Sequence, residues 1–355
     1  MNVRKLAAVL LAAVLVLSLT ACGGSSNSGS APAPSSDASS STPESSAPET
    51  PTPAADGEVI NIGVIQLMEH VALDAAYQGF VDGLAEAGYV DGQNISIDFQ
   101  NAQGEQANCQ TIADKFVSDN VDLVLAIATP AAQAMANATQ DIPILVTAVT
   151  DPADAKLVAS NEAPGGNVSG TSDMNPIEEQ MNLLVQLLPE AKTVGMLYNS
   201  SEANSKLQVD IAKSVAGSLG LTCVDYTVSN ANEIQQVVES ATGKVDAFYA
   251  PTDNVIATAM VTVAQAAEAA GIPVICGEEG MVNNGGTATY GLSYYTLGKL
   301  TATQAVDILT GKSTPATMPI GYLSDADCLL AINEENCQKL GITIPQALLD
   351  QLAAQ

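Results

Sequence analysis

Val121-Asp-Leu-Val-Leu-Ala-Ile-Ala-Thr-Pro130 is an apolar run closed by a hydroxyl and a proline, and its signposts return at Val245-Asp-Ala-Phe-Tyr-Ala-Pro-Thr252. A strand that stays apolar without alternating suits a sheet covered on both faces, because neither side meets water. Leu123 to Ala128 therefore predicts a buried parallel strand, and Pro130 to Thr139 the helix after it. A third matching pair, Ile142-Pro143 and Ile272-Pro273, precedes the next strand in each half. Three signposts in one order predict two similar α/β lobes; one long sheet is the alternative.

Working outward, the first half predicts strands at Val59 to Gln66, Ile95 to Phe99 and Ile144 to Ala148, with helices at Asp74 to Ala87 and Glu105 to Ser118. The second half repeats the scheme, with strands at Thr193 to Tyr198, Thr222 to Thr227, Ala247 to Ala250 and Val274 to Cys276. Its helices are expected at Ala203 to Leu219, Ala231 to Ala241 and Val255 to Ala270. Strands alternating with amphipathic helices imply parallel sheets wrapped by helices. Beyond Gly291 come a helix at Leu297 to Thr310, a strand around Met318 to Tyr322 and a short helix at Asn333 to Leu340. Elements left over after two lobes are complete imply that the chain crosses back between them. The expected architecture is two Rossmann-like lobes with a ligand cleft between them. One lobe takes residues 59–171 plus about 292–318, and the other 172–291 plus about 319–355.

Ahead of these lobes, Arg4 and Lys5 precede the apolar run Leu6 to Leu17 and then Leu19-Thr-Ala-Cys22. The run is too short to span a bilayer comfortably and ends in small residues, which reads as a signal peptide over residues 1–21. Leu-Thr-Ala-Cys resembles a bacterial lipobox, in which Cys22 would carry the lipid and begin the mature chain. Residues 22–57 are rich in Ser, Pro and Ala and have no aromatic residue. Such a segment buries too little apolar surface to offset its ordering entropy, so it is expected to be a tether spanning roughly 30–40 Å. A protein anchored through Cys22 on the outer side of the cell membrane is the expectation.

The chain of 355 residues carries 11 basic and 39 acidic side chains, a formal charge of -28. Nucleic acid and anionic lipid both reward Lys and Arg, so neither is an expected partner. With one histidine, a multi-His metal site is excluded, and no metal or cofactor is expected. GxSxG, the P-loop, HExxH and GxGxxG are all absent. With Cys22 lipidated, five cysteines remain, an odd number. Cys328 and Cys337 are near enough in sequence to consider a disulfide, and buried free thiols are the other reading.

In open parallel sheets ligands bind beyond the carboxyl ends of the strands. The strand-to-helix turns are therefore the candidate site: Gln66, Glu69 and His70; Thr129, Pro130 and Ala131; Thr150 and Asp151; Asn199; Thr252, Asp253 and Asn254; and Glu278. These turns are rich in hydroxyls, amides and carboxylates and hold no Lys or Arg, which disfavours phosphate and dicarboxylate ligands. Thr129-Pro130 reads as an N-cap with Pro at the first helical position, whose free N–H groups suit a carboxylate. Asp253 can cap its helix or pair with an ammonium group; Glu69, Asp151 and Glu278 compete for that role. The sharpest expectation is that Asp253→Ala abolishes binding and leaves the fold intact.

The run from Ile62 to Gln66 with Glu69-His70 and Asp74, Gly79-Phe80, Leu84 and Gly88-Tyr89 resembles the ABC-transporter substrate-binding lipoproteins of the tryptophan/tyrosine type. So do Ala128-Thr-Pro-Ala-Ala132, Thr150-Asp-Pro152, Gly165-Gly-Asn-Val-Ser-Gly-Thr171, Thr252-Asp-Asn254 and Leu340-Gly-Ile-Thr-Ile-Pro345. The resemblance covers residues 59 to 347 in order. It implies a type I periplasmic-binding-protein fold, two lobes closing on an amino-acid-like ligand, no catalysis, and an ABC permease and its ATPase as partners of a monomer. One departure is Val71, where Pro is expected. Tyr77, Tyr198, Tyr249, Tyr290 and Tyr294 are candidates for an aromatic wall. A sensing subunit of the same fold for a signalling partner, or a lipid-anchored hydrolase using acid pairs, are the competing functions.

Overall fold

Ile60–Gln66 (β1), Ile95–Asn101 (β2), Leu123–Ile127 (β3), Ile144–Val149 (β4) and Val168–Ser172 (β5) pair in the order β2-β1-β3-β4-β5, all parallel. Thr193–Asn199 (β6), Thr222–Val228 (β7), Ala247–Ala250 (β8), Val274–Cys276 (β9) and Ala288–Leu292 (β10) repeat that order as β7-β6-β8-β9-β10. Cys328–Ile332 (β11) adds an antiparallel edge against β10. The computed structural model describes residues 59–324 and 327–355. Cys22, the signal peptide and the tether lie outside the described residues. Two sheets of identical winding make two α/β lobes.

Val71–Glu86 (α1), Gln106–Asp119 (α2) and Thr129–Ala138 (α3) cover the first sheet, and Ile177–Leu187 (α4) opens the second lobe. Ala203–Ser218 (α5), Ile234–Ser240 (α6), Asn254–Thr258 (α7), Met260–Ala270 (α8) and Glu279–Asn283 (α9) follow. Every residue of β3 and β4 is buried, as helices on both faces demand. The first lobe closes round one core, whereas the second has a separate apolar cluster on each face of its sheet.

The chain leaves the first lobe after β5 and returns after β10 as Tyr294–Leu309 (α10), which packs along α1. It crosses a third time beyond Gly321 to reach β11, Glu334–Lys339 (α11) and Gln346–Ala354 (α12). The first two crossings are tied together: Leu292 N donates to Asn175 Oδ1 at 3.0 Å, and the Tyr294 hydroxyl donates to Asp173 Oδ2 at 2.6 Å.

The α1–α10 contact depends on two glycines. A Cβ on Gly79 would lie 2.0 Å from the Tyr295 carbonyl oxygen, and one on Gly298 2.0 Å from that of Ala76. Neither backbone can yield without prying the helices apart. Gly298→Ala is therefore expected to cost about 1–3 kcal/mol, read as an earlier urea midpoint at an unchanged slope.

Several boundaries differ from the sequence reading. The strand expected around Met318 to Tyr322 is absent: Pro319 has no N–H to donate, and only Gly321 bridges to Thr171 of β5. The C-terminal strand is β11 instead. The helix expected over Val255 to Ala270 breaks at Ala259 into α7 and α8. Thr129 is not an N-cap. Ala128 holds that position with φ 80°, and Thr129 is already helical. Cys109, Cys276 and Cys337 are buried thiols.

Candidate ligand site between the lobes

The carboxyl ends of the two sheets face one another across a closed cavity of about 10 Å³, room for no more than a water molecule. The first lobe contributes His70, Ala72, Leu73, Ala148 and Thr150. Asn204, Thr252, Asp253, Asn254 and Glu278 come from the second lobe, and Asp173 and Tyr294 from the crossings. Ligand sites run from about 300 to 1,000 Å³, so the lobes must part to admit a ligand. No Lys or Arg is on its wall.

The lobes are bonded across this space. His70 Nε2 and Asn254 Oδ1 meet at 3.2 Å. Gln208 Nε2, from α5, donates to Thr150 Oγ1 at 3.2 Å and to Thr252 Oγ1 at 2.6 Å. The Thr258 hydroxyl donates to Met68 Sδ at 2.9 Å.

Of the residues read from sequence, the structure brings together His70, Thr150, Thr252, Asp253, Asn254 and Glu278. Seven others are not on the wall. Gln66 ties the end of β1 to α1, its Nε2 donating to Met68 O at 2.8 Å and Asp74 Oδ1 at 2.7 Å. Glu69 is exposed. Thr129 and Ala131 are buried and Pro130 is half-buried at the start of α3. Asp151 Oδ1 organises its own loop, accepting from Ala153 N, Asp154 N and Asn161 Nδ2. Asn199 Oδ1 accepts from Ser201 N. Of the five tyrosines, only Tyr294 reaches the wall.

Asp253 does two jobs. Its Oδ1 caps α7 by accepting from Ile256 N at 2.9 Å, and its Oδ2 accepts from Asn199 N at 2.6 Å. Both oxygens hold backbone, so Asp253→Ala is expected to disturb the fold as well as the site. A single motif cannot show that second bond, because Asn199 is 54 residues away.

Asp173 and Asn204 escaped the sequence reading. Asp173 stands where the chain first leaves a lobe, and Asn204 inside the first turn of α5, so neither sits at a strand-to-helix turn of the expected kind. The one available signal is Thr171-Ser-Asp-Met-Asn175, polar residues following a buried strand.

Burial dominates the electrostatics. It pushes the Asp173 carboxyl up to about 6, against the pull of the Tyr294 and Thr150 hydroxyls. It takes Glu278 up to about 7, against the N–H groups of Gly280 and Met281. Glu202, beneath the wall, is raised by burial and by the neighbouring Asp253 charge; Asp253 is raised by its own burial. The same desolvation lowers His70 to about 4, so its ring is neutral. Among the described residues five buried side-chain N or O atoms lack a hydrogen-bond partner, and Asp173 Oδ1, Asn204 Oδ1 and His70 Nδ1 all belong to wall residues. Buried polar atoms are ordinarily paired, so this concentration marks a place built for a guest.

A model of the ABC transporter substrate binding protein family matches residues 61–355. A tyrosine-binding protein of Clostridioides difficile (strain R20291) is 46% identical over 280 residues, 79% of this chain and 80% of the relative. A solved ABC domain from Streptococcus pneumonia in complex with L-Trp superposes with a TM-score of 0.80 at 41% identity, covering 83% of this chain and 98% of that one. A ligand-free, open structure of a substrate-binding protein with adhesive properties from Clostridium difficile is 46% identical, covers 81% of this chain and 96% of that one, and superposes at only 0.63. The sequence with the higher identity gives the poorer superposition, so the lobes here sit nearer the ligand-bound arrangement than the open one. A sugar transporter subunit from Rhodobacter sphaeroides, 16% identical with a TM-score of 0.58, shares the fold alone. This chain belongs to the ABC transporter substrate-binding protein family and has the type I periplasmic-binding-protein fold.

Proposed function

We propose that the protein captures an L-aromatic amino acid between its lobes, outside the cytoplasm, and presents it to the permease and ATPase of an ABC importer. The signal peptide would export it, and the lipidated Cys22 and the tether would then hold it, as a monomer, to the membrane that contains the permease. It needs no cofactor and leaves its ligand unaltered.

The observation that carries this reading is the set of unpartnered atoms on a wall without cations. An ammonium group brings three N–H donors and a positive charge to Asp173, with Glu278 nearby. Satisfying a buried acceptor recovers about 1–3 kcal/mol that an empty site forfeits. The other end of the ligand meets the first turn of α1. Ala72 and Leu73 are on the wall, and no side chain caps that helix end. Its free N–H groups and dipole suit a carboxylate. Leu73, Ala148, Ala257 and the Tyr294 ring supply apolar surface for an aromatic side chain. The two relatives described as binding tyrosine and L-Trp agree with that class.

A thermal-shift series on residues 58–355 tests the reading. Ligand at one hundred times its Kd stabilises by about 2.7 kcal/mol. L-tyrosine, L-tryptophan or L-phenylalanine is expected to raise the melting temperature, and glutamate, phosphate and glucose to leave it unmoved. If sugars or purines shift it and aromatic amino acids do not, the ligand class is wrong.

A further inference from the structure

Glu202, at the N-terminus of α5, is almost fully buried, at 5% exposure. Its Oε2 accepts from Asn254 Nδ2 at 2.6 Å, from Asn254 N at 3.3 Å and from Asn204 Nδ2 at 3.1 Å. We infer that Glu202 is a positioning residue: through the Asn254 amide it fixes His70 in the Nε2–H tautomer and makes Nδ1 an acceptor that selects a donor on the ligand.

Oε2 already accepts from the Asn254 backbone N–H, and once Glu202 is charged, above about pH 7, it offers only acceptors, so Asn254 turns its NH₂ toward Glu202 and its Oδ1 away. That oxygen meets His70 Nε2 at 3.2 Å, and a carbonyl oxygen can only accept. Nε2 therefore carries the proton. A neutral imidazole has one N–H, so Nδ1 is bare. Burial keeps the ring neutral, and Nδ1 is shielded from solvent without a partner. Asn204 is fixed in the same way. Its Nδ2 also donates to the Thr252 carbonyl at 3.1 Å, which leaves Oδ1 as the second unpartnered acceptor. One hidden carboxylate thus sets the sense of two wall residues. Neither the Asp173 carboxylate nor these two can satisfy one another, since all three only accept.

The inference rests on the proposed ligand class only for the identity of the donor, the ammonium group; the tautomer is a property of the empty protein. His70 is the only histidine in the sequence, so ¹⁵N-histidine labelling reports on one ring. A long-range ¹H–¹⁵N spectrum of the ligand-free protein at pH 8, where Glu202 is charged, is expected to show a protonated Nε2 and an unprotonated Nδ1. The reverse pattern, or a doubly protonated ring near pH 6, overturns the inference. Glu202→Gln lets the new amide donate to or accept from Asn254, and Asn254→Ala removes the intermediary while leaving Glu202 in place. Each is expected to yield mixed tautomers and a Kd for L-tyrosine or L-tryptophan weaker by about tenfold or more. An unchanged single tautomer in whichever variant folds denies Glu202 its role. Should no aromatic amino acid bind the wild type while the tautomer is as stated, the ligand class falls and the positioning chain stands.

Discussion

Asp173→Asn is expected to weaken binding of an L-aromatic amino acid by about 2–5 kcal/mol, a factor of roughly 30 or more, because it leaves the ligand's ammonium buried opposite a neutral amide. The substitution is nearly isosteric. Oδ1 of the new amide can still accept from the Tyr294 hydroxyl, so the bond that joins the first two crossings survives in kind. Calorimetry at pH 8, with melting curves to show that the fold is kept, separates loss of binding from loss of structure. Asp173 sits on the segment that connects the lobes, so its pairing with a ligand also favours the closed arrangement. The variant is therefore expected to open as well as to bind poorly, which small-angle scattering in saturating ligand would show as a larger radius. An unchanged Kd in a well-folded variant would remove Asp173 from the site and leave Glu278 as the amine's partner.

The fold was legible in the sequence because it repeats. Apolar strands such as Leu123–Ile127 have no other environment that suits them, and the recurrence of Val-Asp and Ile-Pro announces the second lobe. What escaped were elements whose reason is tertiary. Val168–Ser172 has small and hydroxylic residues that give little apolar signal, yet all are buried, because α10 returns to cover them. The strand pairing of Cys328–Ile332 depends on β10 being free at an edge, which no local pattern states. The site divides on the same line. His70, Asn254 and Glu278 follow strands directly and were read from that position. Asp173 and Tyr294 lie on crossings, which are defined only once both lobes exist. Glu202 gains its importance from Asn254, 52 residues on.

Stability of the ligand-free protein is expected to fall by about 2 kcal/mol or more between pH 5 and pH 8, while ligand affinity rises over the same range. Asp173 and Glu278 bind their protons more tightly folded, at about 6 and about 7, than in an unfolded chain, where carboxyls titrate near 4. Below that unfolded value their contribution is complete, and it is lost as pH rises through the folded values. Glu202, also raised, acts in the same direction. His70 opposes them: its folded value of about 4 is below the unfolded value, so its stabilisation grows up to about pH 6.5 and then stops. Asp98 and Asp327, whose carboxyls are lowered, lose their contribution only in more acid solution. Four raised carboxyls, Asp253 among them, outweigh one lowered imidazole, and above pH 6.5 nothing on the wall opposes them. A ligand ammonium reverses the preference, because it stabilises the charged carboxylates that an empty cavity resists. Melting curves of the empty protein should therefore drop by several degrees from pH 5 to pH 8, and the shift produced by saturating ligand should be largest at pH 8. Glu278→Gln is expected to flatten the first slope by removing a carboxyl that titrates at about 7. An empty protein that melts higher at pH 8 than at pH 5 would mean that these carboxyls are already ionised in the fold, with a cation or solvent reaching them that the closed cavity does not admit.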